Sequence, residues 1–289
     1  MQTKKIESNI LFFIIIQSIF LLFFFKESLL NITLGSIIGF ILIKFYDNLK
    51  LNNKNFVVKL ILIITSLLSS LFILKNITNF IEYNILKDYS RFILGLSFTI
   101  ICTLLSYKGY HSYIKSLELS SYIIGFLGIS SILLLVNNIE IDNFNIQVLK
   151  ETSFNYHFIF ISLFIFFSHL TINYLNGYQL NNKVYFGSIF SIILLKLLTI
   201  GILGETLLNL YNYPYISILK RIKYLDFIER MEGILSLQYL FSFFFLFSFI
   251  LLTIKFLLID FFKIKKDKII NITLSIISLF IFLISYVIL

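Results

Sequence analysis

Long apolar runs broken only by short clusters of charge leave this chain few structures to adopt. Nine such runs can be marked: Asn9–Phe25, Leu29–Ile43, Val57–Leu74, Phe92–Tyr107, Ser116–Val136, Phe158–Leu175, Val184–Leu210, Ile234–Ile259 and Ile269–Leu289. Hydrocarbon offers the backbone no hydrogen-bond partner, so a spanning segment must be a helix or part of a closed barrel. Strict apolar/polar alternation, the mark of a barrel strand, is absent from these runs, which selects helices. A helical span takes about 20 mostly apolar residues. The second and fourth runs fall short and draw on flanking Lys or Tyr as interfacial anchors. The expected fold is all-α: a polytopic membrane bundle of nine transmembrane helices, one integral membrane domain over residues 1–289.

Composition agrees. Only 13% of residues are charged, half of the about 25% usual in soluble domains. The net charge of +9 does not sit on a soluble domain, so it argues for loop placement rather than for nucleic acid. With the N-terminus in the cytoplasm, the inner segments collect fourteen basic residues, among them Lys263, Lys265, Lys266 and Lys268, against nine in the outer segments. The outer bases also lie among nearby acids. An N-inside orientation follows. The first run lacks a small-residue cleavage site and is read as retained. Cys102 is the single cysteine, which excludes an intramolecular disulfide and reads as a small apolar side chain.

The stretch from 204 to 234, "GETLLNLYNYPYISILKRIKYLDFIERMEGI", is denser in mixed charge than the rest and holds the only proline. Pro214 suits the first turn of a helix, where a missing N–H costs no intrahelical bond. Ile218, Leu219, Ile222 and Leu225 then line one face, with Lys220, Arg221 and Lys223 off it. Asp226 and Glu229 read as the start of a second short helix, and Asp226 and Arg230 are spaced for an ion pair. Residues 212–233 are therefore expected to form an amphipathic outer loop lying on or dipping into the membrane face. An interfacial connector without further role fits the same pattern.

That stretch resembles the corresponding region of the membrane-embedded B subunit of bacterial spore germinant receptors. There a glycine–acid pair ends one span, Tyr-Pro follows, and a Phe-x-Glu-Arg-x-Glu-like segment opens the next. The matching positions are Gly204 and Glu205, Tyr213 and Pro214, and Phe227, Glu229, Arg230 and Glu232. A second match places Lys108, Gly109 and Lys115 at the start of the fifth span. The family is similar to permeases of the amino acid–polyamine–organocation superfamily. The resemblance thus implies an inverted-repeat, LeuT-type architecture, with a site where the first and sixth spans unwind. It implies work beside an A subunit and a lipoprotein C subunit, in the spore inner membrane, sensing a small germinant such as an amino acid. It gives Tyr213, Pro214, Asp226, Glu229, Arg230 and Glu232 a gating or subunit-contact role. The family has about ten spans where nine runs are found here. The first run has no glycine or proline, so unwinding it would leave backbone groups in need of new partners.

Polar residues inside the runs complete the candidate ligand site. Lys196 lies mid-run, where insertion costs about 2.5–3.5 kcal/mol, so it needs a protein partner or a shifted span that lets it snorkel. Glu205, nine residues on, would lie on the opposite side of a continuous helix. Ser168 and His169 sit in the sixth run and Gln17 in the first; each reads either as a ligand contact or as a bridge between helices. Gly35 and Gly39 have the spacing of a helix-packing seam. His111, His157 and His169 are scattered without ligand spacing, and no cofactor, metal or nucleotide motif is expected. Two other readings stay open: a secondary amino acid transporter of the same fold, and a membrane enzyme or exporter for a lipid-linked substrate using Glu140, Asp142 and Glu151. No catalytic motif supports an enzyme.

Overall fold

The computed structural model describes residues 2–48, 56–86, 89–144, 156–176, 181–220, 231–263 and 266–287. Ten α-helices follow in order: α1 (Gln2–Ile19), running on into a π-helical turn (Phe20–Phe24); α2 (Leu29–Asn48); α3 (Phe56–Asn84); α4 (Arg91–Tyr107); α5 (Tyr110–Val136); then a 3-10 turn (Ile141–Phe144), α6 (His157–Asn176), α7 (Asn182–Leu210), α8 (Pro214–Leu219), α9 (Met231–Phe262) and α10 (Asp267–Val287). Among the described residues seven helices, α2, α3, α5, α6, α7, α9 and α10, are long and apolar enough to cross a membrane; Ser8–Phe24 and Arg91–Tyr107 are shorter apolar helical stretches. The chain is a helical membrane bundle.

Helix α9 is the axis of the bundle. It touches α1, α3, α4, α5, α6, α8 and α10, and 72% of its apolar stretch is buried, against 11% for α5. An all-round apolar helix belongs in a core, and buried rings at alternate positions, Phe243, Phe245, Phe247 and Phe249, give α9 that character. Its neighbours reach it through polar contacts as well as rings. The Tyr113 hydroxyl donates to Phe245 O at 2.9 Å, and Ser106 donates to Ser248 O at 3.2 Å. Lys255 of α9 donates to Ser106 O and Tyr107 O at 3.4 and 2.9 Å. It thereby supplies a donor to the carbonyls at the end of α4, where Ser106 O also accepts from Gly109 N at 3.3 Å. Cys102 is fully buried beside Phe244 O.

Helices α2 and α6 run parallel along the Gly35/Gly39 seam. Where lipid is as apolar as the side chains, close approach of backbones supplies the association energy. A Cβ at Gly35 would sit 2.8 Å from Ile161 Cβ and 2.9 Å from Phe158 O; at Gly39 the nearest atoms are 3.2 to 3.4 Å away. Both ends of the seam carry a histidine–carboxylate pair. His157 Nδ1 lies 2.6 Å from Glu27 Oε1 at one end, and His169 Nε2 3.1 Å from Asp47 Oδ1 at the other. Asp260 of α9 then gathers Lys59 of α3 at 2.8 Å and Tyr174 of α6 at 2.7 Å.

The seam yields a graded expectation. Gly35→Ala costs about 1–3 kcal/mol by overpacking, while Gly39→Ala costs less because its Cβ would ask Ile165 to give by only a few tenths of an ångström. Thermal melting of the detergent-solubilised chain should rank wild type above Gly39→Ala above Gly35→Ala; equal midpoints would refute the close seam.

Candidate functional site

Four helices enclose a cavity of about 670 Å³, within the 300–1,000 Å³ usual for small-molecule sites. Helix α1 contributes Phe13, Gln17 and Phe20; α5 contributes Ser121, Gly128 and Ser131; α7 contributes Ser191; α9 contributes Gln238, Tyr239 and Ser242. Gln17 Nε2 donates to Ser191 Oγ at 2.9 Å across the α1–α7 wall. The cavity also has a side opening. Gly125 and Gly187 have open space where a Cβ would stand, and Ile129 and Phe190 beside them are exposed. A second cavity of about 280 Å³ lies between α1, α3, α6 and α9 and includes Ser168. Its hydroxyls donate to their own helices, as the serines of the larger cavity do, for example Ser168 to Phe164 O at 2.7 Å and Thr253 to Phe249 O at 2.9 Å, but its described lining holds no side-chain amide. The larger cavity, with three side-chain amides, is the better candidate.

The wall of that cavity opens where glycine and proline are missing. Instead of unwinding, α1 widens into the π-helical turn Phe20–Phe24, a device found often at functional sites. The carbonyl at its end, Phe25 O, accepts from Lys196 Nζ at 2.7 Å, and the same ammonium lies 5.4 Å from the Phe25 ring centre. Lys196 is 3% exposed, so its partner is a backbone carbonyl, favourable at a helix C-terminus, and snorkelling is excluded.

Helix α7 is itself broken at Gly204, with φ 71° and ψ 161°, a backbone region essentially reserved for glycine. The break exposes Gly201 O, which accepts from Glu140 N and from Asn143 Nδ2, each at 2.9 Å. The turn after α5 therefore plugs the break. Counting 100° per residue from Lys196 to Glu205 crosses this kink, so the expectation that the two lie on opposite sides of one continuous helix does not hold. The Glu205 side chain lies outside the described residues. Glu140 and Asp142 are exposed, with the Glu140 carboxylate 3.4 Å from Asn143 Nδ2; Glu151 lies outside the described residues.

Beyond the break, Tyr213 and Pro214 start the short helix α8, with Pro214 in its first turn. The helix is sunk rather than laid on the surface: Pro214, Tyr215, Ile216, Ile218 and Leu219 are buried and Lys220 is exposed. Tyr215 joins it to the cavity wall, with its ring centre 5.1 Å from Phe25 and 4.9 Å from Tyr239. Burial pushes the Tyr213 hydroxyl above its ordinary range, so it stays protonated and donates to Asn76 O at 3.3 Å. Asp226, Glu229 and Arg230 lie outside the described residues, as does the Glu232 side chain.

Of the residues singled out from sequence, Gln17 lines the larger cavity and Lys196 secures its wall. Ser168 lines the smaller one, and His169 is 1% exposed and bridges α6 to α2 through Asp47. Sequence reasoning missed Gln238, Ser131, Ser191 and Tyr215. The criterion that selected Gln17, an amide inside an apolar run, would also have selected Gln238. Comparison with protein-family models, curated proteins and solved structures finds no match to this chain.

The break at Gly204 can be tested directly. Gly204→Ala costs about 1–3 kcal/mol from its backbone conformation alone, and Asn143→Ala about 1 kcal/mol for one lost bond to Gly201 O. Melting midpoints in detergent should fall in that order, and an unchanged Gly204→Ala would refute the kink.

Proposed function

We propose that this chain is the membrane subunit of a spore germinant receptor, binding a small nutrient in the α1–α5–α7–α9 cavity and relaying its presence to partner subunits. The observation that carries the reading is the coupling of this cavity to α8. A ligand against Tyr239 or Phe25 presses on the ring of Tyr215, which is fully buried at the heart of α8. Helix α8 is the described beginning of the mixed-charge stretch that carries the resemblance, so occupancy of the cavity has a short mechanical path to that stretch. On this reading the chain lies in the spore inner membrane with its N-terminus cytoplasmic. All nine apolar runs then cross, in a LeuT-type inverted-repeat arrangement. The partners are an A subunit and a lipoprotein C subunit, which meet the outer loop 212–233. An amino acid is the germinant class that the resemblance implies.

In spores of the parent organism, deleting this chain should abolish the response to one nutrient. Wild type should restore it, whereas Tyr215→Ala should restore protein level but shift the half-maximal nutrient concentration upward by about tenfold or more, the 1.4 kcal/mol of one lost contact. Normal germination of the deletion strain towards every nutrient would overturn the proposal. Accumulation of labelled amino acid in vesicles holding this chain alone would favour a transporter instead.

A further inference from the structure

The walls of the larger cavity specify the charge class of what it takes. Its described lining is apolar side chains together with amides (Asn9, Gln17, Gln238) and hydroxyls (Ser121, Ser131, Ser191, Ser242 and Tyr239). Bringing an isolated carboxylate or ammonium into such surroundings costs several kcal/mol per ion unless a counter-charge meets it. Lys196, a buried cation on α7, is not among the lining residues; its ammonium is engaged with Phe25 O, and Phe25 lines the wall. A free amino acid would carry two charges into this space.

The serine hydroxyls of the wall are set to accept. The Ser121 hydroxyl donates to Glu118 O, Ser131 to Gly128 O, Ser191 to Ser188 O and Ser242 to Gln238 O, all at 2.7 to 2.8 Å. With its proton committed to its own helix, each hydroxyl offers the cavity lone pairs. Gln238 Oε1 lies against Gly128, 3.2 Å from where a Cβ would stand, and adds another acceptor. These acceptors are matched by a solute that donates, and the amide N–H groups of the same wall can meet its carbonyl oxygens. The opening supports the same class: between α5 and α7 it faces sideways, past exposed Ile129 and Phe190, towards the surface these apolar helices present to lipid.

We propose that the cavity between α1, α5, α7 and α9 takes an uncharged, largely apolar solute bearing hydroxyl or amide N–H donors, admitted from the membrane side between α5 and α7. The inference rests on the reading of this cavity as the ligand site and narrows its ligand away from zwitterionic amino acids.

The test uses the full chain in lipid nanodiscs and three tritiated probes with one aromatic body. N-acetyl-phenylalanine amide is neutral and carries N–H donors, phenylalanine is a zwitterion, and N,N-dimethyl-3-phenylpropanamide is neutral without donors. The first should bind at least about tenfold more tightly than the other two, as expected where a polar wall would otherwise go unpaired. Gly125→Phe, which places a ring in open space at the side opening and so spares folding, should abolish that binding; Gln238→Leu should erase the preference for the donor-bearing probe. Equal or tighter binding of phenylalanine, no binding of any probe above empty nanodiscs, or full binding by folded Gly125→Phe would each overturn the inference. The outcome is separable from the receptor proposal: normal germination of deletion spores would remove the receptor role and leave the probe contrast standing, while preferential phenylalanine binding would remove the neutral-ligand inference and leave the receptor role standing.

Discussion

A backbone carbonyl released where water is scarce has to be met by a donor, and this bundle is arranged around such meetings. Among the described residues, three places show helix carbonyls met in this way inside the apolar mass. Phe25 O, after the π-helical turn of α1, takes Lys196; Ser106 O and Tyr107 O, at the end of α4, take Lys255; Gly201 O, before the Gly204 break, takes Glu140 N and Asn143 Nδ2. An unmet group would cost about 1–3 kcal/mol each time, a large share of ordinary stability. Both buried lysines are thus explained without a ligand. A flexible four-carbon stem carries three donors to a helix end whose dipole favours a positive charge.

The same meetings hold the cavity open. Helix α1 stays a wall through its turn because α7 grips it twice, by Lys196 at the end and by Gln17 to Ser191 near the middle. Packing on α9 supplies the third side. Helix α5 is different: it is the least buried of the long apolar helices, and glycines at 125 and 128 thin its face towards the cavity. The enclosure is therefore firm on three sides and open on the fourth. A π-turn is a local excess of one residue, so a small rearrangement of Phe20–Phe25 can shift rings at the wall without unfolding the helix. Phe25 touches Tyr215 and Tyr215 touches Tyr239, so such a shift is felt at α8.

The helical membrane class was legible because lipid permits so little else: apolar run length and clustered charge suffice. Packing of the Gly35/Gly39 seam was legible for a related reason, since a small residue every four positions has one common use in apolar surroundings. The site was not. Its walls come from four helices far apart in the chain, and a single sequence does not say which faces meet. Lys196 could be flagged as needing a partner, but a carbonyl is present at every residue, so nothing marked Phe25. The opening of α1 was sought through glycine and proline and occurs instead in a run of Phe and Leu, where register, not residue type, changes. His169 read either as a ligand contact or as a bridge between helices; the sequence did not name its carboxylate partner, Asp47, which stands at the end of another helix.

Why the only proline stands where it does follows from the burial of α8. A helix that begins inside the protein must find acceptors for its first N–H groups or lose them. Pro214 has no N–H to place, and its fixed φ suits the first turn. Tyr213 O then accepts from both Ile216 N and Ser217 N, at 3.0 and 3.2 Å, so two of the first N–H groups of this short helix are met without water. Tyr213 can hold that carbonyl in place because its own ring is wedged against Phe80 and its hydroxyl reaches Asn76 O on α3. The Tyr-Pro pair thus lets the chain turn inward immediately after α7 and seat Tyr215 against the cavity wall. The charged residues that follow need not enter the apolar interior, and Lys220, where α8 ends, is already at the surface. Greasy core and charge adjoin here because one anchored turn separates Tyr215, which touches the cavity wall, from Lys220 at the surface.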